Sequence, residues 1–214
     1  MGSYAVIAET SEVLVELLRD RIGRRTDVID VDRREIALAS PNNIDEDTDV
    51  RLSLYLYSVG KNDVMNTRTR EYDSEAETTQ EPPLALDLHY LLTAYPAGGN
   101  GDLTPETFDQ HRLLGLAIQT LNDNGVLTGE EFGGTKFDTD VSITFQTETT
   151  EEVMDIWFNA VGEKPYHLSA AYTVGPILVD SRIEEEIPPV EGRDMGYEDS
   201  EEEGARQETR SVDS

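Results

Sequence analysis

The 214-residue sequence contains no cysteine, one tryptophan, three histidines and only three lysines, Lys61, Lys136 and Lys164. The first absence excludes disulfides, thiol catalysis and cysteine-ligated zinc. No apolar run approaches the roughly 20 residues of a membrane-spanning helix. The opening Met-Gly-Ser-Tyr-Ala lacks the basic start and apolar core of a secretory signal. Membrane insertion and signal-directed secretion are therefore not expected, and the cytoplasm is. Positive charge is scarce as well: 17 basic residues stand against 45 acidic ones, a formal charge of −28. A nucleic-acid partner is excluded on the same ground, because no basic stripe exists to neutralise phosphates.

The acidity is not confined to one end. Residues 184–214 hold 12 acids and three Arg, a net −9, while residues 1–183 hold 33 acids and 14 bases, a net −19. Such a charge opposes compaction and association at ordinary ionic strength. Concentrated salt removes the opposition, since the screening length falls to about 3 Å at 1 M. Adaptation to a salt-rich cytoplasm is the favoured reading; an acidic surface unrelated to habitat is the alternative. The apolar fraction is 37%, and these residues gather in periodic segments before position 180. That is enough for one core. The expectation is a single domain over 1–183 followed by a disordered, flexible acidic tail over 184–214.

Apolar residues at three- and four-residue spacing predict a helix over 4–22, with Tyr4, Ile7, Ala8, Ser11, Leu14, Val15, Leu18 and Ile22 on its inner face. Ser3 would cap it and Gly23 would end it. The four Arg between positions 19 and 25 suit the negative end of that helix, or an acidic partner. Strands are expected at 36–39, at 52–57, over 82–95, at 141–145 and over 172–179, the last bent at Gly175-Pro176. In the second, Leu52, Leu54 and Leu56 alternate with Ser53, Tyr55 and Tyr57. Large groups on both sides put this strand between two layers. In the third, Leu84, Leu86, Leu88, Tyr90 and Leu92 would share a face. Residues 60–81 read as an exposed connection. Thr104-Pro105 announces a second helix and Thr150 a third, the latter carrying Val153, Met154, Ile156, Trp157 and Val161 as its apolar surface. The sum is an α/β fold, a single mixed-sheet domain flanked by helices.

Chemistry is hard to find. His89, His111 and His167 fall in separate segments without metal-ligand spacing. Acid pairs are uninformative among 45 acids. No Gly-x-Ser-x-Gly elbow occurs, and the glycines of 98–101 lack the Lys-Ser/Thr that completes a phosphate-binding loop. No catalytic, cofactor or metal residue is expected, and no enzyme activity. Tyr55, Tyr57 and Trp157 are either an aromatic docking strip or, as we favour, internal packing.

Residues 54–59, Leu-Tyr-Leu-Tyr-Ser-Val, followed by Asn62 and Asn66, resemble the leucine–tyrosine strand of the Pvc16 N-terminal domain family, also called DUF4255. The resemblance continues through Pro-Pro-Leu-Ala-Leu-Asp-Leu-His-Tyr-Leu-Leu-Thr-Ala-Tyr at 82–95, which contains Asp87, His89 and Tyr90. It extends through 113–124 to Trp157 and Tyr172. Ser58 stands where a basic residue is common in the family, and Gly125 where proline is. The acidity makes this a haloarchaeal-like version. The resemblance implies a phage tail-terminator-like fold and a structural cap of a contractile injection system. Such a cap ends an inner tube and anchors its sheath, as a homohexameric ring, in a particle assembled in the cytoplasm and open to later release. Tyr55, Tyr57, Asn62, Asn66, Asp87, His89, Tyr90, Trp157 and Tyr172 are the candidate assembly or motif residues. A baseplate or connector role, or a soluble adaptor, is the competing expectation.

Overall fold

The computed structural model describes residues 4–45, 47–65, 71–73, 78–97, 103–128, 139–146, 150–162, 164–181 and 184–186. Helix α1 spans Val6–Ile22 and is followed by strand β1, Ile36–Leu38. A long antiparallel pair comes next, β2 (Leu52–Lys61) and β5 (Leu84–Ala94). Between them lie two short strands, β3 (Glu71–Asp73) and β4 (Thr78–Gln80). Helix α2 covers Leu103–Asp123 and leads through β6 (Val126–Leu127) to β7 (Val141–Phe145). Helix α3 (Thr150–Ala160), β8 (Ser169–Val179) and β9 (Glu184–Glu186) complete the chain order.

Six strands form one sheet in the order β1-β2-β5-β8-β7-β6. Only β1 and β2 run parallel, so the sheet is mixed, as expected. Its first face meets α1 and α2. Leu88, Tyr90, Leu92 and Ala94 of β5 join Leu14, Leu17, Leu18 and Ile22 of α1 and Leu113, Ala117 and Leu121 of α2 in the main core. Each fully buried Leu or Ile contributes about 1.5–3 kcal/mol through loss of apolar surface from water. The second face is covered by α3. There Leu91 of β5 packs with Trp157 and Val161. Strands β2 and β5 thus lie between two layers, which is why Leu91 and Leu92, adjacent in sequence, are both fully buried.

Several local expectations are corrected. Ser3 lies outside the described residues, and α1 begins at Val6 with Ala5 at the cap position making no side-chain capping bond. Tyr4 is 82% exposed, because it precedes the helix instead of joining its inner face. Ala8 is exposed too. Gly23 does end α1, but in right-handed geometry, its N–H donating to the Arg19 carbonyl at 3.1 Å. Thr104 does not cap α2: the helix already includes Leu103, and Thr107 Oγ1 donates back to the Leu103 carbonyl at 2.7 Å. Pro105 fits the first turn, where its missing donor is not needed.

Leu84 is exposed and Leu86 half-buried, so the buried stripe of β5 begins only at Leu88. Register shifts between Leu86 and Leu88, where Gly175-Pro176 of β8 supplies an extra residue. The bend foreseen at that dipeptide is therefore a bulge, and its peptide bond is cis. Residues 60–81 are not wholly irregular. β3 pairs with β4, and β4 pairs with β9, which places Glu184–Glu186 at the end of a second, three-stranded sheet. Those three acids open the segment expected to be tail; residues 187–214 lie outside the described residues.

Candidate functional site

Bulges set the geometry of the motif residues. Asp87 stands opposite Gly60 of β2 and beside the bulge of β8. The Asn62 amide donates to both carboxylate oxygens of Asp87, at 2.9 and 3.1 Å. Asn62 Oδ1 accepts the Met65 N–H at 2.9 Å, and its own N–H donates to the Ala85 carbonyl at 2.9 Å. One asparagine therefore closes the exit of β2 onto the entry of β5. Gly175 makes room for this arrangement: a side-chain carbon there would collide with the Asp87 carboxylate and lie 3.0 Å from the Leu86 carbonyl oxygen.

Two residues along, the half-buried His89 ring has Nδ1 3.2 Å from Thr173 Oγ1 and 3.4 Å from the Gln146 amide, which also donates to Thr173. Gly60 lies against the same ring; a Cβ there would be 3.1 Å from Nε2. Tyr57 tilts toward His89 with centroids 6.1 Å apart and packs partly on the Trp157 cluster. Trp157 is fully buried. Its indole donates to the Lys164 carbonyl at 3.1 Å, and Tyr166 and His167 meet it edge-on at 5.5 and 5.9 Å. Burial, then the charge of Lys164, lowers the pKa of His167. The Lys164 ammonium meanwhile donates to the Ile44 carbonyl at 2.8 Å and to Asp45 at 3.0 Å, tying the α3–β8 connection to the turn at Pro41–Asn43.

On the opposite face Tyr90 and Tyr172 are cross-strand neighbours. The Tyr90 hydroxyl shares a 2.8 Å hydrogen bond with Ser11 of α1, and burial pushes its pKa up to about 12 despite that bond. The Tyr172 hydroxyl is buried with no hydrogen-bond partner among the described residues, and burial raises it likewise to about 12. Phe145 meets the Tyr172 ring edge-on at 5.3 Å.

The structure thus joins Asn62 with Asp87, His89 with Tyr57, Tyr57 with the Trp157 cluster, and Tyr90 with Tyr172. It does not assemble the nine candidates into one site. Tyr55 is half-buried on β2 apart from these groups, and Asn66 lies outside the described residues. Trp157 and Tyr57 pack internally and form no docking strip. The bonding roles of Ser11, Gln146, Lys164 and Thr173 are not legible in the sequence, because their partners are up to 123 positions away and share no periodic signal. Among the described residues the arrangement pairs no nucleophile with an oriented base. Asp87 is bonded to Asn62, and the polar partners of His89 among the described residues are a hydroxyl and an amide. Among the described residues no cluster of His, Asp and Glu is fit to hold a metal, and no helix is long and apolar enough to cross a membrane. What remains outward is apolar surface: Leu103 and Phe108 of α2, Phe158 of α3 and Phe145 of β7, each more than half exposed.

The described residues form a mixed, helix-flanked sheet of the tail-terminator type of fold, with polar staples between its strands. The chain matches the Pvc16 N-terminal domain over residues 9–192, and it belongs to that family. Its fold resembles the sheath/tube terminator of an extracellular contractile injection system, PVC, in the extended state. That similarity has a TM-score of 0.56 at 14% identity and covers 97% of this chain and 65% of that one. It also resembles the tube-terminating cap of the anti-feeding prophage, with a TM-score of 0.54 at 15% identity, over 87% of this chain and 59% of the cap. The chain therefore spans less than two thirds of either cap. No curated protein matches it by sequence.

Proposed function

We propose that this chain is a structural cap that ends the inner tube of a phage-tail-like contractile injection system and anchors the surrounding sheath. The observation that carries this reading is the family match over 9–192, supported by the shared fold of two terminator caps. In this reading copies of the domain form a homohexameric ring. One face matches the growing tube, and the other offers no tube-binding surface, so growth stops. The energy comes from repeated packing and polar contacts, and no hydrolysis is involved. Exposed apolar groups such as Phe108 and Phe158 are available for those contacts. Assembly takes place in the cytoplasm, and the particle is then competent for release. The −19 charge on residues 1–183 fits a salt-rich cytoplasm, where screening permits like-charged copies to close a ring.

The test is deletion of residues 1–183, imaging of the particles, and restoration with a labelled full chain. Loss should leave the baseplate end intact while tubes vary in length or their sheaths detach. Label should sit only at the end opposite the baseplate, with ring density for six copies. Label at the baseplate would point to the connector role, and normally terminated particles without the domain would refute the cap.

A further inference from the structure

Six of the chain's 17 basic residues fall between positions 19 and 34. Four of them have acids at hand: Arg19 pairs with Glu16, Arg33 with Glu16 and Asp20, Arg34 with Asp32 and Arg25 with Asp27. Arg21 and Arg24 are exposed and make no ion pair among the described residues. With Arg25, Leu116 and Gln119 they line a cleft of about 390 Å³ between the end of α1 and the end of α2. Asp123 is the one carboxylate lining it. The negative end of α1 accounts for cations at this place. It does not account for two of them staying unpaired on a chain with 45 acids.

The opposite side of the sheet carries a complement. Trp157 and Val161 turn α3 inward onto Leu91, which leaves Glu151, Met154, Asp155 and Phe158 along its outer face at helical spacing. Met154 is 37% exposed and Phe158 59%. Glu151 and Asp155 are exposed and make no ion pair among the described residues. Two free carboxylates beside two uncovered apolar groups thus answer two free guanidinium groups beside a leucine. An arginine lies well on the face of a phenylalanine ring, and its methylene stem covers apolar surface. One chain cannot bring the two patches together. Helices α1 and α2 cover the first face of the sheet and α3 the second, so the sheet stands between them.

We infer that the cleft of one copy receives the outer stripe of α3 from a second copy. Arg21 and Arg24 meet Glu151 and Asp155, and Phe158 packs against the arginine stems and Leu116. Cleft and stripe are different patches, so the contact is head-to-tail and repeats from copy to copy until a ring closes. The inference rests on the homohexameric cap proposed above and names the surfaces that join its subunits. Salt screens the long-range repulsion between acidic copies, and screens touching, partly buried pairs much less.

The lack of native cysteine makes single thiols unambiguous markers. Gln119→Cys marks the cleft and Asn159→Cys the stripe; both positions are exposed, and neither substitution removes a charge. The two full-length variants are produced together in the deletion strain, and the extract is treated with a short bismaleimide. Mass spectrometry should find position 119 of one chain joined to position 159 of another. Adding Arg21→Glu and Arg24→Glu to the first chain should lower that yield at least about fivefold. Adding Glu151→Arg and Asp155→Arg to the second chain as well should restore most of it. Circular dichroism of each variant checks that the fold is kept. Joining of like positions only, joining to other proteins only, no joining, or a charge swap that restores nothing would each overturn the inference. Locating the labelled chain keeps the two readings apart. A ring at the tube end without the 119–159 product overturns this contact and leaves the cap standing, whereas the product from a chain sited at the baseplate does the reverse.

Discussion

Gly175 is where a single methyl group would do most harm to the motif region. Its missing side chain is what allows the Asp87 carboxylate to sit against β8 while bonded to Asn62. Gly175→Ala should lower stability by ~1–3 kcal/mol through overpacking, read as a fall in thermal midpoint. Removing the carboxylate with Asp87→Ala should recover only part of the loss, since the Leu86 carbonyl still crowds the new carbon. Full recovery would mean that the carboxylate alone sets the limit. Trp157 poses the opposite problem. It is fully buried, and Trp157→Ala should cost ~3–5 kcal/mol in denaturant melts. Trp157→Phe keeps most of the packing and removes the bond to the Lys164 carbonyl, so ~1–2 kcal/mol is expected. As the chain's single tryptophan, its fluorescence should shift to the red only when the α3 layer detaches.

At the scale of elements, the hydrogen bond between Ser11 of α1 and Tyr90 of β5 locks a helix to the centre of the sheet. Ser11→Ala strands a buried phenol and should destabilise by ~1–3 kcal/mol, whereas Ser11→Ala with Tyr90→Phe should be close to neutral. A double-mutant cycle by chemical denaturation measures the difference. The same tyrosines set an alkaline limit. Tyr90 and Tyr172 have pKa values raised from 10 to about 12, so the folded state favours the neutral phenol. Their contribution is whole below pH 10 and is lost as the pH rises through about 12. Ultraviolet absorbance should show two tyrosines ionising only together with unfolding. The elements themselves were largely legible: most of the inner face of α1, the alternation in β2 and the break at Gly175-Pro176 are all periodic or steric signals. β3, β4 and β9 were not, because three polar residues each carry no pattern, and pairing between 78–80 and 184–186 is a property of the closed chain alone. The grouping of Asn62 with Asp87 was illegible for a related reason: a bulge shifts the faces, and sequence alternation cannot reveal where.

For the molecule as a whole, the charge of −28 should make stability and association rise together with ionic strength. Melting and light scattering between roughly 0.1 and 3 M salt would measure this. Undiminished oligomers at the low end would separate the acidity from any salt requirement. Gly125 leaves the exit of α2 to be fixed by a longer-range bond, the Ile143 N–H donating to the Gly125 carbonyl at 2.8 Å. The folded core, more than local stiffness, therefore holds this turn.

The main sheet also has an unfinished border. Strand β1 pairs with β2 only at Leu52, Ser53 and Leu54, so residues 55–61 form the outer margin of the sheet among the described residues. A straight margin of that length would template a strand from any passing chain and seed fibres. Here the register breaks between Leu56 and Ser58, and a strand adding there would lose step after two residues. This lets many copies crowd together without polymerising edge to edge. A Tyr57 deletion that straightens the margin should give a protein that binds thioflavin on standing, where the unaltered chain does not.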